Sequence, residues 1–138
     1  MKLINILVVD GMGGGIGKAL IERIKTELPN IKITAVGTNA IATTAMLKAG
    51  ADASATGENA IVYNASRVDF IIGVTGIIIA NSMYGEVSPK MTKAISASPA
   101  HKILIPIDKC NMTVVGVKPA SMQVFIKEVV DKLSEYIL

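Results

Sequence analysis

Asp10-Gly11-Met12-Gly13-Gly14-Gly15-Ile16-Gly17-Lys18 is the stretch whose reading decides the fold. It holds five of the chain's twelve glycines and separates two apolar segments of different period. Before it, Leu3, Ile4, Ile6, Leu7, Val8 and Val9 make a near-continuous aliphatic run, the pattern of a parallel strand buried on both faces. After it, Ile16, Leu20, Ile21, Ile24 and Leu28 recur at helical spacing, with Lys18, Glu22, Lys25 and Glu27 mostly on the other side. Strand, glycine turn and helix open a βαβ unit. At such a turn the first N–H groups of the helix lack intrahelical acceptors and the helix dipole favours an anion. The stretch therefore implies a ligand that carries a phosphate.

The spacing of the glycines narrows this reading. A G-x-G-x-x-G fingerprint begun at Gly11 meets Ile16 where its last glycine belongs, and begun at Gly13 it meets Lys18. Gly11-x-x-x-Gly15-Ile16-Gly17 does fit G-x-x-x-G-x-G, and so resembles the loop of short-chain dehydrogenases. The phosphate loop of nucleotide hydrolases would need glycine at Met12 and a hydroxyl residue at Ala19, so the magnesium-ligating group is missing. The expected ligand residues are Gly11, Met12, Gly13, Gly14, Gly15, Ile16 and Gly17, joined by Thr38, Asn39, Thr75 and Gly76 from other strand ends. Substituting Gly14 or Gly15 by Val is expected to abolish binding and leave helicity intact, by placing Cβ atoms in the phosphate position. The competing reading is a tight turn that needs glycine for positive φ and close packing, with no ligand at all.

With 138 residues, the chain has the length of one domain able to bury a sizeable core. Hydrophobic residues make up 51% and charged residues 18%, and the mean hydropathy is +0.51. That much apolar surface in a small domain argues for burial against a second copy, so a homo-oligomer is expected. A net charge of +3 spread along the chain, with two Phe, three Tyr and no Trp, offers neither a basic stripe nor a stacking platform. Nucleic acid is therefore disfavoured as a partner. Residues 70–80, the longest apolar stretch, are too few to span a bilayer, and no membrane association is expected. One cysteine excludes an internal disulfide framework, and the whole reads as cytoplasmic.

In chain order, residues 31–36 predict a second strand ending at Gly37-Thr38-Asn39, where a dinucleotide fold reads the ribose. Thr38 and Asn39 are neither the acid that favours NAD nor the arginine that favours NADP; either residue also suits the cap of the next helix. Residues 40–49 predict a small-residue helix closed by Gly50, with so little polar face that it is the candidate subunit interface. A short strand at 52–55 follows, and Thr56 is expected to cap a helix over 57–65, with Glu58 in its first turn. Residues 69–73 predict a fourth strand with Thr75 and Gly76 in its exit loop, and residues 81–86 border a cleft. Ser88-Pro89 start a further helix, residues 102–107 a fifth strand and residues 113–117 a last one. His101 is expected exposed at the far end of the sheet. Residues 121–137 close the chain as an amphipathic helix.

Several segments besides the loop carry a wider likeness. They include Gly37-Thr38-Asn39-Ala40, Leu47-Lys48-Ala49-Gly50-Ala51-Asp52, Ala55-Thr56-Gly57-Glu58-Asn59-Ala60-Ile61 and Ala80-Asn81-Ser82-Met83. Gly85-Glu86, Lys102-Ile103-Leu104-Ile105-Pro106 and Cys110-Asn111 belong with them. Together they resemble a family of small single-domain bacterial proteins known only as a domain of unknown function. The resemblance implies a stand-alone bacterial protein of this length and nothing about a substrate. The Tyr-x-x-x-Lys pair of short-chain dehydrogenases has no match, since Tyr63 is followed by Arg67 and Tyr84 by Ser88.

The expected architecture is α/β, a three-layer α/β/α sandwich around a Rossmann-like, mostly parallel sheet. Its cleft would gather residues 10–17, 37–39, 56–59, 75–76 and 108–111. Three functional readings follow. One is a protein that binds a nucleotide or dinucleotide, NAD(P) or another nucleotide, with its phosphate on the first helix. A second is a small oligomeric enzyme using Asp10, Glu58 or Cys110 as acid, base or nucleophile; no metal site is expected. The third is a non-catalytic partner-binding module with a vestigial loop, whose first helix N-terminus would be plugged by a side chain.

Overall fold

The computed structural model describes residues 3–107 and 111–137. Five strands form one sheet: β1 (Asn5–Asp10), β2 (Lys32–Gly37), β3 (Ala53–Thr56), β4 (Phe70–Val74) and β5 (His101–Ile105). Their spatial order is β3-β2-β1-β4-β5, and every neighbouring pair is parallel. Five helices alternate with them: α1 (Gly15–Glu27), α2 (Ala40–Lys48), α3 (Glu58–Ala65), α4 (Pro89–Ala97) and α5 (Met122–Ile137). Helix α1 packs on α2 and α5, and α3 packs on α4, so the sheet carries a helical layer on each face. The expected three-layer, Rossmann-like α/β architecture is the one observed.

The aliphatic run that precedes the glycines becomes the central strand. Ile6, Leu7, Val8 and Val9 are buried, as a strand covered by helices on both faces requires. Leu20, Ile21 and Ile24 of α1 and Ile126, Val129, Val130 and Leu133 of α5 complete the core on one side. The chain winds outward through β1, β2 and β3, then returns across β1 to continue through β4 and β5. That reversal puts a topological switch point between β1 and β4, where open α/β sheets leave a crevice beyond the strand C-termini.

Two expectations give way here. Residues 113–117 are not a strand; they are exposed, with Val115 89% accessible and Gly116 turning at φ +85°. Valine enrichment reflects fit to a half-buried pleated surface, and this segment has none to lie on. Thr56 ends β3 and does not cap α3; the cap position is Gly57, at φ +99° with no side-chain bond. After β4 the chain makes a 3-10 turn, Thr75–Ile78. His101 opens β5 at the far end of the sheet, where its ring lies 4.5 Å from that of Tyr136 and edge-on to Phe70.

Candidate functional site

The turn between β1 and α1 assigns its glycines different tasks. Gly14 is the helix cap in the left-handed region, φ +76°, and an added Cβ would meet the Ala42 Cα at 2.8 Å. Gly17 lies under Asp10: a Cβ there would come within 2.9 Å of the Asp10 Cβ and 2.6 Å of the Met46 sulfur. These two are packing glycines. Gly13 and Gly15 differ, because a Cβ at either would point into open space.

Asp10 fixes the turn. Its carboxylate accepts the Gly11 N–H at 2.8 Å and the Gly17 N–H at 2.6 Å, so it holds the third residue of α1 from inside. Burial pushes the carboxyl above its ordinary value, and the two N–H donors oppose that rise. The N–H groups of Gly15 and Ile16, one and two residues into the helix, have no acceptor among the described residues. One donor is satisfied and two stay available.

The other wall comes from residues 79–88, which form a strap across the strand ends. Asn81, Met83 and Tyr84 all adopt positive φ, at 66°, 57° and 57°, and Gly85 follows at 89°. Backbone bonds hold this shape: Asn81 N–H to Val87 O at 2.7 Å and Gly85 N–H to Asn81 O at 3.1 Å. The Ser82 hydroxyl donates to Gly76 O at 2.5 Å. Three near-consecutive non-glycine residues in the left-handed region are costly, whereas Gly85 adopts it freely, and such strain concentrates where a chain must hold a ligand or a switch.

Between turn and strap lies a cavity of about 1020 Å³, of the size that small-molecule sites reach. Residues 10–16 form one side, and Gly76, Ile79, Asn81, Ser82, Met83 and Tyr84 another; Ile107, Met122 and Gln123 close it. Asp10 is the only charged residue among the described residues that line it. A ligand phosphate there would therefore be held by backbone N–H groups and the α1 dipole, not by a described lysine or arginine.

The other expected ligand residues scatter. Gly76 lines the cavity, but the Thr75 hydroxyl is occupied with Ile107, accepting its N–H at 3.1 Å and donating to its carbonyl at 3.2 Å. Asn39 caps α2, its side-chain oxygen accepting the Ala42 N–H at 2.9 Å. Thr38 and Asn39 both reach Glu86, which the glycine and ribose motifs do not mark. The Thr38 hydroxyl donates to Glu86 Oε1 at 2.5 Å, and the Asn39 amide donates to the same oxygen at 3.0 Å. These two hydrogen bonds, led by Thr38, hold the Glu86 carboxyl below its ordinary value; partial burial opposes them and the Met12 backbone assists.

Of the three candidate catalytic residues, only Asp10 borders the cavity. Glu58 stands in the first turn of α3 and accepts the Ser88 hydroxyl at 2.6 Å, linking the starts of α3 and α4. Cys110, with Asp108 and Lys109, lies outside the described residues. No group of three or more His, Cys, Asp or Glu residues that could hold a metal ion occurs among the described residues, and no described helix is long and apolar enough to cross a membrane.

No curated protein matches the chain. A family model described as "Domain of unknown function (DUF3842)" matches residues 5–138, from the first residue of β1 to the end of the chain, glycine turn and strap included. The chain therefore belongs to this family of unknown function.

Proposed function

We propose that this protein binds a nucleotide or dinucleotide in the cavity between β1 and β4, with a phosphate against residues 13–16. The observation that carries the reading is a large cavity at the switch point whose wall presents the N–H groups of Gly15 and Ile16, which have no acceptor among the described residues. Gly13 and Gly15, the two turn glycines with nothing where a Cβ would stand, let a ligand approach the backbone closely. The cavity's mostly aliphatic, thioether and backbone lining suits a base or nicotinamide ring as well as a pyrophosphate.

Thermal unfolding in the presence of NAD, NADP, FAD, ATP, GTP, S-adenosylmethionine and inorganic phosphate tests this. A ligand at 100 times its Kd should stabilise by about 2.7 kcal/mol, several degrees for a chain of this size. A clear shift with one nucleotide supports the reading, and no shift with any of them overturns it.

A second reading has its own support. Asp10 occupies the Gly17 N–H, and Glu86 lies beside the turn, so two carboxylates partly close an anion site. A non-catalytic partner-binding module with a closed turn would show no nucleotide response. The enzyme reading draws less support, since both Asp10 oxygens are engaged by backbone and Glu58 is not among the residues that line the cavity.

A further inference from the structure

In dinucleotide folds the ribose hydroxyls are read at the end of the second strand by an acid that follows it in sequence. Here Thr38 and Asn39 occupy that place. The strap restores the missing charge from elsewhere. Glu86 Oε1 lies against Thr38 and Asn39, and would stand 3.4 Å from a Cβ on Gly11, the first glycine of the turn. The carboxylate is thus wedged between the end of β2 and the start of the glycine turn. The Thr38 and Asn39 bonds both fall on Oε1 and the Met12 backbone N–H adds a third, while a carboxylate offers about four lone-pair sites, so acceptor capacity for a hydroxyl donor remains on this group.

We infer that Glu86 is the ribose-reading residue of the proposed nucleotide site, and that the site selects ligands with a free 2′-hydroxyl over 2′-phosphorylated ones. This rests on the nucleotide-binding reading above. A carboxylate accepts from vicinal hydroxyls, whereas a 2′-phosphate would bring a second anion against it. Thr38 and Asn39 are positioning residues here. They hold the carboxylate by hydrogen bonds and leave the ribose to Glu86.

Isothermal titration of the full chain with NAD, NADP, ADP and 2′-deoxy-ADP tests the inference. Wild-type protein should bind NAD over NADP, and ADP over its 2′-deoxy analogue, each by about tenfold or more. Glu86→Gln keeps the shape and the Thr38 contact but removes the charge, and should reduce the NAD-to-NADP ratio about tenfold. A residue that only latched the strap would change both affinities by one factor and leave the ratio intact; that result overturns the inference. Equal wild-type affinities for NAD and NADP overturn it without needing the variant, and leave the nucleotide site standing. Binding of none of the four ligands removes the nucleotide reading itself, and this inference with it.

Discussion

At Gly15 an added side chain would enter the cavity, whereas at Gly14 it would strike the backbone of α2. Gly15→Val should therefore abolish nucleotide binding by titration while the melting temperature stays within a few degrees. Gly14→Val forces a β-branched residue to φ +76° against Ala42, and should cost about 2–4 kcal/mol, seen as a lower urea midpoint. Reading the sequence treats the two alike, because glycine identity does not reveal which neighbour another helix will approach. Glu86 shows the same limit. Its partner Thr38 is 48 residues away, and only the strap's path brings them together. The pair has a pH signature. Because the folded-state value is lowered from 4.5, stabilisation by Glu86 is complete above that value and is lost as pH falls through the folded-state one. Asp10, raised by burial, slopes the opposite way, its ionisation costing stability as pH rises past 3.8. Comparing wild type with Thr38→Val in urea across about pH 3 to 6 isolates Glu86: the gap between the two should narrow as the pH drops.

Elements were legible where local chemistry decides them. Ser88-Pro89 reads as a helix start, and Ser88 does cap α4, its hydroxyl oxygen accepting the Met91 N–H at 3.2 Å. Glu58 reads as a dipole residue of α3, and the structure adds that it also receives the Ser88 hydroxyl. Ser88→Ala removes both bonds and should destabilise the fold by about 1–2 kcal/mol in urea unfolding, leaving the cavity unchanged. Residues 113–117 mark the opposite case. Their valines carry strand propensity, but a strand is a pairing, and the sheet order ends at β5. Nothing within five residues can state whether an edge will be available to them.

For the whole molecule, the alternation of strand and helix and the position of the glycine turn were enough to reach a parallel three-layer fold. The order β3-β2-β1-β4-β5, and with it the place of the cavity, rests on long-range pairing that no single segment encodes. Composition also raises the question of where the remaining apolar surface goes. Ile41 and Leu47 on α2 are 72% and 50% exposed, and Ile41 lines a groove of about 440 Å³ together with Lys18 and Lys48. We propose this face as the subunit contact, so Ile41→Glu should lower the light-scattering mass to that of the 14.5 kDa chain. Ala45→Glu is a poorer probe, because the Ala45 Cβ is only 3.1 Å from where a Gly14 Cβ would stand. The last helix is held differently from the others. It joins the sheet through the exposed residues 113–121, yet its first two residues, Met122 and Gln123, form part of the cavity wall. A protease cut in that connection would turn α5 into a detachable shutter, docked by the buried Ile126, Val129, Val130 and Leu133 and by the Tyr136 ring contacts with Phe70 and His101. Whatever fills the cavity would then govern whether the shutter stays seated, and resistance of the severed protein to dissociation becomes a gauge of occupancy.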